Sequence, residues 1–393
     1  MCFASHSNGQ VAGERARPAP SDARHRFCRK ESWVRAVTAD VAGEVARTDV
    51  VVIGAGQAGL TAAHHLRRTG SGFVVLDAED HPGGAWQHRW PTLRIDDTHG
   101  IHDLPGLALR ERDGVRPAST VLSEYFGDYE QEFELPVQRP VEVRAVREAG
   151  DGRLQVESTG GVWSARAVLN ATGTWRRPFW PHYPGQQSFT GRQLHTADYR
   201  GAAEFAGLRV VVIGGGISAV ELLSEISVLA HTTWITRRPP VFTGQEFSPD
   251  DGRAAVAEVD RRVRAGLPPG SVVSLTGLPA TPGVRRAHER GVLERRPMFQ
   301  HITTKGIRWQ DGRGLEADVL LWATGFRPSI GHLAPLGLRE PGGGIRMAGT
   351  RVVADPRVHL IGYGPSASTV GANRAGRAAV REVTALLNRH PSG

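Results

Sequence analysis

Two glycine-rich turns, Gly54-Ala-Gly56-Gln-Ala-Gly59 and Gly214-Gly-Gly216-Ile-Ser-Ala219, carry the residue types and spacing that hold a phosphate backbone. In each, the first glycine permits a tight turn and the second lets a pyrophosphate approach the chain. The third, small residue lets a helix pack close on a strand. A helix opening there offers unpaired N–H groups and the positive end of its dipole to an anion. The residue 23 places after each leading glycine differs in kind: Asp77 follows Gly54, whereas Arg237, with Arg238 beside it, follows Gly214. A carboxylate at that place accepts from a ribose 2′-hydroxyl. A planar guanidinium suits a 2′-phosphate instead. The contrast predicts two different dinucleotides, the second being NADPH rather than NADH. The plain alternatives are an ordinary glycine turn at the first place and a solvated arginine pair at the second.

Such turns work only between a strand and a helix, and the flanking residues supply both. The β-branched run Asp49 to Ile53 reads as a buried strand, Leu60 to Thr69 as a helix, and Phe73 to Leu76 as a second strand ending at Asp77. The order recurs in the strand Arg209 to Ile213, the helix Ser218 to Leu229 and the strand Thr232 to Thr236. This duplication predicts an α/β fold with two Rossmann-like dinucleotide-binding domains, each with its own crevice. Between the units the pattern gives a helix near Val121 to Phe133 and strands near Val141 to Val146, Leu154 to Glu157 and Ala167 to Gly173. Beyond them come a helix from Asp251 to Ala265, a loop broken at Pro282 and Gly283, and strands at Ile302 to Trp309 and Asp318 to Trp322. A stretch from Val358 then ends in a helix from Asn373 to Asn388.

Composition narrows the function. The chain has 393 residues, 48 glycines and a net charge of +8. Its basic residues are almost all arginines, with Lys30 and Lys305 the lysines, and they are scattered rather than clustered, which argues against a nucleic-acid partner. No apolar run approaches the ~20 residues of a membrane helix, so no membrane span is expected. Both cysteines, Cys2 and Cys28, precede the first glycine turn, which leaves the rest of the chain without a redox dithiol and fits a reducing, cytoplasmic setting. Residues 1–47 are polar and rich in Arg and Ala, and lack a secretory apolar core. They read as a disordered N-terminal extension. His99 and His102 have the spacing of a metal pair but lack a third ligand, so no metal site is expected.

Four further segments set the two glycine turns in a family. Ala171-Thr-Gly173 and Ala323-Thr-Gly325-Phe326 each follow an apolar strand; Gly83-Gly-Ala-Trp86 follows the first turn; and Phe189-Thr-Gly191-Arg-Gln-Leu-His195-Thr-Ala-Asp-Tyr199 precedes the second. In this order they resemble the glutathione-reductase-type two-dinucleotide fold. The last two segments are similar to those of the class B flavin-dependent monooxygenases. The resemblance covers about Val50 to Val380. It implies FAD on the first turn, NADPH on the second, and an NADPH domain (175–319, with linkers) inserted into an FAD domain (48–174 and 320–393). The implied cofactor contacts are Gly54, Gly56, Gly59, Asp77, Gly83, Gly84 and Trp86 for the flavin half. Gly214, Gly216, Ala219, Arg237 and Arg238 serve NADPH, with Gly325 at the strand that carries the chain back. The segment from Gly362 to Arg374, with Gly371 and Asn373, opens the last helix and is implied to face the flavin. The implied chemistry is hydride transfer from NADPH, formation of a C4a-(hydro)peroxyflavin with O₂, and oxygenation of a small amine, sulfur compound or carbonyl.

The resemblance is incomplete near the flavin. The asparagine common in that family after a Leu-Arg-like stretch is absent, and Asp97 of Leu93-Arg94-Ile-Asp-Asp97 is the nearest match. Asp97, Arg94 and His195 are therefore the candidate catalytic residues. His195 has a second reading as a linker residue bonding backbone between domains, and Arg327, like Arg94, stands where it could reach cofactor or substrate. Three classes remain compatible with the sequence: a monooxygenase, a same-fold reductase or oxidase that passes on electrons without inserting oxygen, and a non-enzymatic NADPH or FAD sensor. A small-molecule substrate and O₂ are the partners of the first, and a homo-oligomer is left open.

Overall fold

The computed structural model describes residues 45–98, 101–112, 114–243, 249–270 and 277–389. These lie in one compact unit, residues 39–393. The expected extension falls outside the described residues up to position 44, and its last residues already belong to the first strand.

The N-terminal half supplies strands β1 (Ala46–Ile53), β2 (Phe73–Leu76), β3 (Val137–Gln138), β4 (Val143–Glu148), β5 (Leu154–Ser158) and β6 (Gly161–Asn170). β1 lies at the centre because Val50, Val51 and Val52 are buried on both sides, as an unbroken β-branched run requires in a covered parallel sheet. It pairs in parallel with β2 (Val50 opposite Phe73) and with β6 (Val50 opposite Ala167). β3 extends the sheet past β2, and Val358–Leu360 joins β6 in parallel. β4 and β5 return antiparallel from β6. Helices α1 (Gln57–Arg67) and α2 (Ala118–Glu132), with the C-terminal helix Thr369–Arg389, cover one face through Leu60, Leu122 and Val383. Trp163, Leu333 and Tyr363 fill the other.

The second half forms its own parallel sheet around β7 (Arg192–His195), β8 (Arg209–Ile213) and β9 (His231–Thr236). Its strand order is Arg295–Pro297, β9, β8, Val319–Trp322, β7. Helix α3 (Ile217–Ile226) and the helix Pro282–Glu289 cover one face. A small antiparallel sheet of His301–Thr303, Gly306–Arg308 and Gly314–Glu316 contributes Ile302 and Ile307 to the other.

This pairing corrects one expected boundary. Val319–Trp322 lies between β8 and β7, with Trp322 opposite both Ile213 and His195. It belongs to the second sheet, and the chain returns to the first only beyond Gly325, not at residue 320. The strand's four residues are all buried because both neighbours and both faces are occupied.

Candidate dinucleotide sites

The first glycine turn joins β1 to α1. Gly54 has φ +98°, and a Cβ there would meet the Ala171 carbonyl oxygen at 2.9 Å. A Cβ on Gly59 would lie 1.8 Å from the Gly54 carbonyl oxygen, so helix and strand close to this distance only with glycine. Gly56 is different: its nearest neighbour on that side is the Gly84 Cα, 3.9 Å from an added Cβ. Gly83 and Gly84, at φ +125° and +50°, fold the chain back onto the turn, and Trp86 packs against the first core. The Gln57 side-chain oxygen, at the mouth of α1, is buried without a hydrogen-bond partner. Bare glycine backbone, an open helix start and an orphaned polar atom together fit a dinucleotide on this turn.

The C-terminal helix begins beside α1. Asn373 accepts from Gln57 Nε2 and Thr61 Oγ1, both at 2.9 Å, and donates to the Asp103 carbonyl at 2.7 Å. Its side chain thereby clamps the two helix starts together. The Gly371 N–H is capped by Ser368 Oγ at 3.1 Å. What this segment offers the site is a second helix N-terminus and its dipole.

Asp77, at the end of β2, is 5% exposed. Its Oδ2 takes two bonds from Arg139, at 3.0 Å from Nη2 and 3.2 Å from Nε, and Arg139 also grips Glu130 through both terminal nitrogens. Burial pushes the Asp77 carboxyl up, against the pull of the Arg139 guanidinium and of the Ala55 N–H. Nothing in the sequence marks this acid–base–acid cluster, since Arg139 lies outside every motif and 62 residues from its partner.

The second turn repeats the geometry with a different end. Gly214 has φ +149°, and a Cβ would meet the Ala323 carbonyl oxygen at 2.1 Å. Ala219 is fully buried against the sheet, while the Cβ position of Gly216 faces open space. Arg237 and Arg238, directly after β9, are exposed and form no ion pair among the described residues. The turn and the two guanidiniums fit the phosphates of a dinucleotide that comes and goes.

His195 closes β7 and is fully buried. Its Nδ1 accepts the Ala197 N–H at 3.1 Å, so the proton sits on Nε2, which donates to the Gly325 carbonyl at 3.0 Å. Burial lowers its pKa. Both ring nitrogens are spent on backbone, and the expected catalytic role gives way to the linker role: His195 ties the chain entering the second sheet to the chain leaving it. The Arg94 guanidinium donates to the Pro91 carbonyl at 2.6 Å and holds its own turn. Asp97 faces Arg286 at 3.8 Å across a cavity of about 300 Å³ that Trp90, Glu221, Glu225 and Arg290 also line. Its surroundings are thus helices of the second half rather than the first glycine turn. Arg327 stacks on Phe179, 4.1 Å from the ring centre. His99 lies outside the described residues, among which no three His, Cys, Asp or Glu side chains gather as a metal site. No helix among them is long and apolar enough to cross a membrane.

Residues 51–250 match the pyridine nucleotide-disulphide oxidoreductase family. Among solved structures, a flavin-containing monooxygenase from Stenotrophomonas maltophilia is 41% identical, with a TM-score of 0.75 over 87% of this chain and 99% of that one. An uncharacterized oxidoreductase of Geobacillus kaustophilus is 31% identical over 46% of this chain and 51% of that protein. A rice indole-3-pyruvate monooxygenase is 26% identical over 77% of this chain and 79% of its own length. The chain spans about half the length of the first curated relatives it matches. Cyclohexanone monooxygenase, at 19% identity and a TM-score of 0.62, shares the fold.

Proposed function

Because the chain belongs to the pyridine nucleotide-disulphide oxidoreductase family and, within it, to the flavin-containing monooxygenases, we propose that it is an NADPH-dependent, FAD-containing monooxygenase of a small organic molecule. One observation carries the reading: the two glycine turns end in opposite chemistry, a buried carboxylate at Asp77 and exposed guanidiniums at Arg237 and Arg238 that pair with no acid among the described residues. The first suits a flavin nucleotide that stays, the second a phosphorylated nicotinamide nucleotide that exchanges. Disulfide reduction, the other chemistry of the family, has no residues here, since Cys2 and Cys28 both precede β1.

Bound FAD supplies the electron acceptor for hydride and the reaction with O₂. The chain's own residues hold and orient. Gly54, Gly56, Gly59 and the start of α1 receive the FAD diphosphate, Asp77 faces its ribose, and the start of the C-terminal helix adds a positive dipole. Gly214, Gly216 and α3 receive the NADPH diphosphate, while Arg237 and Arg238 take the 2′-phosphate as charge-assisted hydrogen bonds. His195, through Gly325, fixes the crossing of the two linkers and hence how the two nucleotides meet. The substrate class is a small amine, sulfur compound or carbonyl, and the setting is cytoplasmic.

A second reading, transfer of electrons without oxygen insertion, is favoured by one feature: Asp97 stands where the family has an asparagine, and it faces Arg286. Turnover with NADPH under ¹⁸O₂, with a panel of amines, sulfides and ketones, separates the two. The proposal expects one labelled oxygen in the product and NADPH consumption matched to product. Full conversion of NADPH to hydrogen peroxide with every substrate would support the second reading and overturn the first.

A further inference from the structure

We propose that Arg89, half-buried with its Nε sealed from solvent, is a cation reserved for the diphosphate of the FAD on the first glycine turn. Its guanidinium is held between two indoles, 4.7 Å from the Trp175 ring centre and 5.6 Å from that of Trp86. Its Nε is buried with no hydrogen-bond partner, and no carboxylate pairs with it among the described residues. Other arginines differ: Arg139 has Asp77 and Glu130, and Arg176 has Glu79 and Glu142. Burial draws the Arg89 pKa down to about 10, which leaves the group charged at neutral pH. A sealed N–H of a charged group without an acceptor is costly, and stacking on two rings offsets only part of that cost. The missing partner is an anion brought by a ligand.

The fold says which anion. The Arg89 N–H donates to the Trp86 carbonyl, one tight turn beyond Gly84, and Gly84 rests on Gly56 of the first glycine turn. Trp86 packs on the first core, and Trp175 follows Gly173 where the chain leaves the first sheet beyond β6, so one wall belongs to the flavin half and the other to the linker that leaves it. The NADPH phosphates have their own receptors at Gly214–Ala219 and Arg237–Arg238. Held against two rings, the guanidinium has less side-chain freedom left to lose on binding. This inference rests on the assignment of FAD to the first turn.

The test compares FAD-stripped wild-type protein with Arg89→Met and Arg89→Lys. Titration with FAD, followed by flavin fluorescence, should show about 10- to 100-fold weaker binding for methionine, the range lost with a charged hydrogen bond. Lysine should recover part of it, and the salt dependence of binding should flatten in the methionine variant. NADPH affinity should not move. The apoprotein's melting temperature should hold or rise in Arg89→Met, because a sealed N–H without an acceptor has been removed. Unchanged FAD affinity would overturn the proposal. So would a loss confined to NADPH, which would assign Arg89 to the other nucleotide, or a fall in apoprotein stability that accounts for the weaker binding. If stripped wild-type protein takes up no FAD at all, the cofactor assignment itself fails, a result distinct from any of these.

Discussion

The two glycine turns share a backbone and differ at the strand that follows. At the end of β2, Asp77 is buried under Arg139, which is itself held by Glu130. At the end of β9, Arg237 and Arg238 are exposed and pair with no acid among the described residues. The first arrangement is locked before any ligand arrives and pre-aims its acceptor; the second keeps its charges hydrated and available. A prosthetic group gains from the first because pre-organisation lowers the ordering cost of binding and slows release. A cosubstrate that must leave each turnover gains from the second. On the proposed reading, one repeated motif supports retention in one half and exchange in the other, and the difference lies in what surrounds the ribose end.

Breaking the lock at its base should have the largest effect. In Gly59→Val the new Cβ falls 1.8 Å from the Gly54 carbonyl oxygen. The strain should cost about 3 kcal/mol or more and leave the purified protein without flavin, read as the 450 nm absorbance per protein. Gly216→Ala meets open space, so flavin content and melting temperature should stay as in wild type while the KM for NADPH rises. If both glycines respond alike, the asymmetry fails. Next in size is Arg139→Met, which strands Asp77 and Glu130. Losing one partner of a buried ion cluster costs about 3 kcal/mol, which should appear in chemical denaturation together with weaker FAD binding and an unmoved NADPH affinity. Alanine at both Arg237 and Arg238 should raise the KM for NADPH roughly 10- to 100-fold with the NADH value nearly constant. An unchanged ratio of the two would remove the 2′-phosphate assignment.

The smallest effect is a pH dependence of the first half. His359, on the strand beside β6, is 1% exposed, and its Nδ1 lies 2.9 Å from Thr350 Oγ1. Burial, helped by Arg351, draws its pKa down to about 4. The unfolded chain binds a proton below about 6.5 and the folded chain only near 4, so unfolding takes up a proton between these values. Stability is therefore full above pH 6.5 and falls as pH drops toward 4. The loss between pH 7 and 5 should be roughly 1–2 kcal/mol, with flavin retention following it. His359→Gln should flatten that slope.

The contrast between the turns was legible in the sequence because it rests on local spacing: two glycines two places apart with a small residue three further on, and one decisive residue 23 places after the first. The duplicated strand–helix–strand units were legible for the same reason. What escaped is non-local. The membership of Val319–Trp322 depends on parallel pairing with strands more than 100 residues away, which no window of residues reveals. The Gly325 carbonyl that occupies His195 lies 130 residues on, and the Gln57 amide that meets Asn373 lies 316 residues away. Arg89 and Arg139 look like any other arginines in a chain rich in them, and only their surroundings, two indoles for one and two acids for the other, give them a role.

Whether each turn takes a different dinucleotide is decided by a crystal structure of the flavin-loaded protein soaked with NADP⁺. The expected result is the FAD diphosphate over Gly54–Gly59 with its ribose at Asp77, and the NADP⁺ 2′-phosphate between Arg237 and Arg238. A 2′-phosphate remote from both arginines, or FAD on the Gly214 turn, would contradict it.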